Sequence, residues 1–262
     1  MVKIAFVSAI RNDQDILKYN LFYYYNIGIR DFYLLLHKST LEQRQHLEEI
    51  RSCLPDCNFF VTGHDKDYQY HDEDIKVLTD KAMDDGFKWI IASDVDELIR
   101  LQKHNTIQDF ISEYDHFETV SLLCEWYEHR PLKSCNKKEN PFTVFNRRDI
   151  DKKEQTKAIG KFNDLMFYCP GVHLIHDCHN VVKIPFEDVY YSHFPDRNKN
   201  QFIEKYEIQL ENWMHRYGKF PLEKAMKEDP NCLFKFWETK LVDENHGVLD
   251  QVNREMFEIE KI

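Results

Sequence analysis

Trp89-Ile90-Ile91-Ala92-Ser93-Asp94-Val95-Asp96-Glu97-Leu98-Ile99 is the stretch on which the fold turns. Its first four residues are a short apolar run, which predicts a strand buried on both faces. Two carboxylates spaced two apart follow at once. Residues two apart at a strand's end turn their side chains the same way, so Asp94 and Asp96 can face one ion. Hard divalent cations such as Mg²⁺ or Mn²⁺ take oxygen ligands of this kind and keep positions open for phosphate. The competing reading is a pair of solvated loop acids, or Asp96 as the N-cap of a helix through Leu98 and Ile99.

Upstream, strand and helix patterns alternate. Lys3–Ala9 reads as a strand. Ile16, Leu17, Asn20, Leu21 and Tyr24 recur at helical spacing, and Gly28 sits where that helix would stop. Asp31–Leu36 is a second strand. Leu41, Leu47, Ile50 and Leu54 mark a helix opened by Ser39 or Thr40, and Asn58–Thr62 is a third strand. Ile75, Leu78 and Ala82 stripe a third helix ended by Gly86. Repeated β-α units predict a parallel sheet covered by helices, with ligands at the carboxyl ends of its strands. No G-x-G-x-x-G follows the first strand and no G-x-x-x-x-G-K-[ST] occurs, so a dinucleotide fold and a P-loop have no support.

Downstream of residue 117 the pattern loosens. Thr119–Leu123, Phe142–Phe145 and Val189–Ser192 read as strands. Residues 146–165, rich in Lys, Arg and Asp, read as a loop that could close over a ligand. From Asn198 to Tyr217 the chain is again helical, with Phe202, Tyr206, Trp213 and Tyr217 on one face. Phe234 and Trp237 are the anchors of the tail. The expected organisation is one α/β domain over 1–197 and a helical appendage, 198–262, packed on it.

The net charge of −11 excludes nucleic acid as a default partner, because such binding rests on Lys and Arg neutralising phosphates. No apolar run approaches the roughly 20 residues of a membrane span. Ile4–Ile10 is too short, and too soon followed by Arg11 and Asp13, for a secretory signal. Seven cysteines without regular spacing fit reduced thiols, so a cytoplasmic location is expected. Cys169, His173, His176, Cys178 and His179 cluster, but at spacings that match no zinc pattern. No G-x-S-x-G elbow is present.

Several segments together resemble the GT-A glycosyltransferases, within the family-2-like group that carries D-x-D-E followed by a hydrophobic residue. They are Ala9-Ile10-Arg11-Asn12-Asp13, Ile16-Leu17-Lys18-Tyr19, Tyr24–Ile29 and the motif at 94–99. Lys157-Ala158-Ile159, Gly171-Val172-His173, and Ser192-His193-Phe194 with Phe202 and Lys205 are similar to the family's later segments. The resemblance spans about residues 3–206. The usual Asn- or Asp-rich turn after the second strand is replaced here by His37-Lys38-Ser39-Thr40.

The resemblance implies a GT-A mixed sheet flanked by helices, a nucleotide-diphospho-sugar donor, Mn²⁺ or Mg²⁺, and sugar transfer, inverting as in most of the group, to a saccharide or lipid-linked acceptor. A lipid-linked acceptor would bring the chain into peripheral contact with a membrane. Asp94 would lie towards the donor ribose or sugar and share the metal with Asp96, and His193 would be a third ligand. The alternative for His193 is a hydrogen-bonded core histidine beside Tyr190 and Tyr191. Ala9, Arg11, Asp13 and His37 would line the nucleotide pocket. Lys157 and Lys161 would meet the diphosphate, or else be solvated loop charges. The base that removes the acceptor proton is expected among Glu125, Glu128 and Asp164, with Trp126 and Tyr127 as platforms for a sugar. Two other classes remain open: a nucleotidyltransferase or metal phosphohydrolase using the same acids, and a catalytically silent domain that binds a sugar nucleotide. The former would bring a basic Gly-rich loop or a larger Asp/His set, and the sequence has neither.

Overall fold

The computed structural model describes residues 2–11, 13–66, 71–131, 142, 147–148, 155–218, 226–227, 229, 231–240, 248–249 and 256. The first half is β1 (Ile4–Ile10), α1 (Gln14–Asn26), β2 (Asp31–His37), α2 (Leu41–Ser52), β3 (Asn58–His64), α3 (His71–Asp84) and β4 (Trp89–Ala92). All seven residues of β1 are buried. Successive side chains alternate faces, so Ile4, Phe6 and Ile10 join the core under α1 and α2, while Ala5, Val7 and Ala9 join the one under α3. A strand buried on both faces needs a helical layer on each side, and the three helices supply them. Thr40 caps α2, its hydroxyl accepting from Gln43 N at 3.1 Å. Gly86, at φ +88°, turns the chain after α3.

The second half runs β5 (Glu97–Leu101), α4 (Ile107–Ser112), β6 (Val120–Glu128), β7 (Arg147–Arg148), β8 (Thr156–Lys161), β9 (Phe167–Tyr168), β10 (Ile175–His176), β11 (Val181–Ile184), β12 (Val189–His193), α5 (Lys199–Tyr217), α6 (Cys232–Glu238) and β13 (Val248–Leu249). Nine strands make one mixed sheet in the order β3-β2-β1-β4-β8-β6-β12-β5, with β11 also beside β6. β1 to β4 are parallel. β8 enters antiparallel between β4 and β6, and β5 returns antiparallel to β12. The fold is thus α/β, with a mixed sheet flanked by helices, as expected.

Two expectations are corrected, and one competing reading is ruled out. Residues 156–161, expected within a loop, are the central strand β8. Its lysines hid an apolar pattern: Ala158 and Ile159 are fully buried. At Gly160 a Cβ would lie 2.2 Å from the Phe162 ring and 2.5 Å from Ile175, so only glycine lets those side chains close over the strand. Of the rest of that loop expectation, Arg147–Arg148 are the short strand β7, and 155 and 162–165 are irregular, while 146 and 149–154 lie outside the described residues. Of the strand expected at 142–145, Phe142 is buried and helical rather than extended, and 143–145 lie outside the described residues. Second, β6 extends to Glu128, so Glu125, Trp126 and Glu128 lie within a strand rather than beyond one. Third, Leu98 and Ile99 belong to strand β5, not to a helix capped by Asp96.

The C-terminal segment packs through α5. Asn198 caps it, accepting from Gln201 N at 3.0 Å, and Gly218 at φ +64° ends it. Phe202 is fully buried and meets Phe236 and Trp237 of α6 at 5.6 and 5.4 Å. The side chains of Trp213, Tyr217 and Phe234 lie outside the described residues. The segment is not wholly helical, since β13 pairs with β7.

Candidate functional site

The turn 93–96 is held by its own neighbours. Ser93 N donates to Val7 O at 3.2 Å, and Glu97 N to Asp94 O at 3.0 Å. Tyr24 Oη donates to Ser93 Oγ at 3.1 Å, and Asn20 Nδ2 to Glu97 O at 3.1 Å, so buried polar groups of α1 fix the turn from below. Pairing of β5 with β12 sets His193 opposite Glu97, and Phe194 N donates to Asp96 O at 2.8 Å. That register is what carries His193 to Asp96: His193 Nε2 lies 3.5 Å from Asp96 Oδ2.

Glu97 is the buried anchor of the motif, 1% exposed. Its Oε1 accepts from Trp126 Nε1 at 3.0 Å and from Lys157 Nζ at 2.8 Å, while its Oε2 lies 3.3 Å from Asp94 N. Lys157 also reaches Asp94 Oδ2 at 3.4 Å. Burial favours the neutral amine, but Glu97 and Asp94 outweigh it and hold Lys157 above the ordinary lysine range. Trp126 is therefore a buried partner of Glu97, with its ring 4.6 Å from that of His193.

Asp96 is the meeting point of two cations and an imidazole. Its Oδ2 lies 3.4 Å from Lys205 Nζ, 3.5 Å from His193 Nε2 and 3.7 Å from Arg197 Nη1. Burial pushes its carboxyl up, yet Lys205 and His193 outweigh that and hold it well below the usual carboxylate range. Arg197 is fully buried and bonds Asp13 Oδ1 at 2.7 Å and Asp15 Oδ2 at 3.0 Å, which ties the start of α1 to the motif. Burial pushes the Asp13 carboxyl up to about 6, against the pull of Arg197.

These groups border a cavity of about 340 Å³ at the carboxyl ends of β1 and β4. It is lined by Ala9, Arg11, Asp13, Asp94, Val95, Asp96 and His193 on one side, and by Gln201, Glu204, Lys205, Ile208, Gln209 and Asn212 of α5 on the other. The structure thus brings together Ala9, Arg11, Asp13, Asp94, Asp96 and His193. Two carboxylates and an imidazole are a chemically suitable set for Mn²⁺ or Mg²⁺. Asp96 and His193 are adjacent, and His193 Nδ1 is buried with no hydrogen-bond partner among the described residues. Among the described residues, however, no three His, Cys, Asp or Glu side chains converge closely enough to hold an ion: Asp94 leans to Lys157, and Asp96 to Lys205.

The other expected residues lie elsewhere. His37 is fully buried at the end of β2, its Nε2 2.8 Å from Lys66 O and its ring 4.9 Å from that of His64; burial pushes its imidazole pKa down. Lys161 pairs in register with Trp89, the first residue of β4, so it sits at the opposite end of the strands from the cavity, bonded to Asp115. Asp164 is exposed just beyond it. Glu125 accepts from Tyr127 Oη at 2.5 Å, and Glu128 is buried; neither lines the cavity. Arg197, Gln201 and the anchoring role of Glu97 escaped the sequence reading. No motif flags an arginine four residues beyond a strand-end histidine, and the only hint was the -Glu97 that extends the D-x-D.

No protein-family model matches the chain, and no curated protein is similar to it. Among solved structures, it is similar to the mannosyltransferase PcManGT from Pyrobaculum calidifontis in complex with GDP-Man and Mn²⁺, at 10% identity and TM-score 0.47, covering 86% of this chain and 67% of that one. HddC from Yersinia pseudotuberculosis is similar at 11% identity and TM-score 0.35, covering 61% of this chain and 73% of that one. An apo UDP-glucose pyrophosphorylase is similar at 10% identity and TM-score 0.33, covering 78% and 80%. Likeness this distant leaves the chemistry of the chain to be argued from its own residues.

Proposed function

We propose that the chain is a metal-dependent glycosyltransferase that moves a sugar from a nucleotide-diphospho-sugar to a saccharide or lipid-linked acceptor, with inversion. The observation that carries this reading is the cavity itself. Asp94, Asp96 and His193 line it together with Arg11 and Lys205, at the sheet edge where ligands bind in open α/β folds. It joins oxygen and imidazole donors to two cations that can meet a diphosphate, and it does so within the segments that resemble family-2-like GT-A enzymes.

In this reading Asp96 and His193 would hold Mn²⁺ or Mg²⁺, and the ion would supply charge stabilisation for the departing diphosphate. Asp94 lies towards the ribose or sugar. Arg11 and Lys205 hold phosphate oxygens. The acceptor oxygen bonds to the anomeric carbon as its bond to the phosphate oxygen breaks, and the acceptor proton passes to a carboxylate. Glu204 lines the cavity from α5 and is better placed for that proton than Glu125, Glu128 or Asp164.

The test is turnover of UDP- and GDP-sugars with and without Mn²⁺. Release of nucleoside diphosphate supports glycosyl transfer; exchange of pyrophosphate would instead mark a nucleotidyltransferase, and no turnover of any donor a silent binding domain. Asp96→Asn, nearly isosteric, is expected to abolish Mn²⁺-dependent release while the protein stays folded. Full activity of that variant at limiting Mn²⁺ would reject Asp96 as a ligand.

A further inference from the structure

Arg11 is the cavity's cation on the loop after β1, and its side chain is only 11% exposed. Its Nη2 meets Glu211 Oε2 of α5 at 3.3 Å, whereas its Nη1 is buried with no hydrogen-bond partner among the described residues. A guanidinium presents its donors as a planar fork that a phosphate can engage with two parallel bonds. Glu211 engages one tine only and is itself 59% exposed. A long, half-solvated carboxylate in a single-contact pair is weakly held, because water screens it and ordering it costs side-chain entropy.

We propose that Arg11 is an anion subsite closed by Glu211, whose carboxylate stands where a phosphate group of the ligand binds. An incoming phosphate takes both Nη1 and Nη2, satisfies the orphaned nitrogen and releases Glu211 to water. Glu211 leaves by a change of rotamer, so α5 need not move. Since α5 forms one wall of the cavity, the C-terminal segment then sets how tightly the anion binds. That the anion is the donor's diphosphate rests on the glycosyltransferase reading; that the subsite takes an anion does not.

Isothermal titration of the full chain at fixed ionic strength, with inorganic pyrophosphate, UDP and GDP, tests this. Glu211→Gln is expected to tighten pyrophosphate and at least one nucleoside diphosphate by about threefold to fivefold, the range an exposed ion pair is worth. Glu207→Gln removes the same charge from an exposed position of the same helix, outside the cavity, and is expected to change little. In an Arg11→Ala background the gain from Glu211→Gln should vanish. Equal tightening by Glu207→Gln would reduce the effect to the chain's overall negative charge and overturn the proposal, as would unchanged affinity in Glu211→Gln or no binding of any probe to any variant. Tighter pyrophosphate with no binding of either nucleotide would uphold the anion subsite and count against the nucleotide-sugar donor.

Discussion

Lys157 and Lys161 lie four residues apart on β8 and, by the period of a strand, on the same face of it. Their surroundings differ because they sit at opposite ends of one central strand. Lys157 is 2% exposed beneath the acidic motif, between Glu97 and Asp94. Lys161 meets Asp115, whose carboxylate is 45% exposed and also accepts from Trp89 Nε1 at 2.9 Å. The first pair is dry and underlies the cavity; the second borders water and closes the far end of the strands. Residue type and spacing along one strand therefore do not separate a lysine that supports a site from one that pins a strand end.

Removing each lysine tests the difference. Lys157→Met leaves the buried Glu97 carboxylate without its cation, with only the neutral donors around it, and breaking a buried pair from one side typically costs about 3–5 kcal/mol. The loss should appear as a lower urea midpoint, together with lost turnover as Asp94 drifts. Lys161→Met should cost about 1 kcal/mol or less, since its partner is half solvated, and should leave donor affinity unchanged. Similar losses in both variants would break the comparison.

A finer contrast is in pH. Burial raises the Asp13 carboxyl to about 6, so between its unfolded value near 3.8 and about 6 the folded state holds the extra proton and stability falls as pH rises. Hydrogen bonds from Lys161 and Trp89 lower the Asp115 carboxyl, so its stabilising effect is present above about 3.8 and is lost as pH falls through the lowered folded value. Melting temperature against pH should therefore lose a falling slope between about pH 4 and 6 in Asp13→Asn, and a rising slope below about pH 4 in Asp115→Asn. The same sign of change in both variants would show that the two ends titrate alike.

Much of this was legible in the chain. The apolar run at 89–92 followed by two acids located a buried strand and the motif, and helical spacing, bounded by Gly28, Gly86 and a cap at Ser39 or Thr40, gave the three helices of the first half. What misled was local charge. The Lys-rich stretch around 157–161 read as a loop because the carboxylates that neutralise it are 46 to 63 residues away in sequence. Glu125 and Glu128 read as lying past a strand because the partner that extends β6, namely β12, comes over sixty residues later.

Taken alone, the sequence determined the alternation of strands and helices, the place of Asp94 and Asp96 at a strand's end, and the helix from Asn198. These are local: period, caps and turns act over a few residues. Only the tertiary structure decided that β8 lies at the centre of the sheet, that the β5–β12 register sets His193 beside Asp96, that Arg197 joins Asp13 and Asp15 to the motif, and that α5 walls the cavity. The reason is physical. A buried charge persists only if a partner offsets its desolvation, and that partner is chosen by which strands pair, a long-range outcome that no short window of sequence contains.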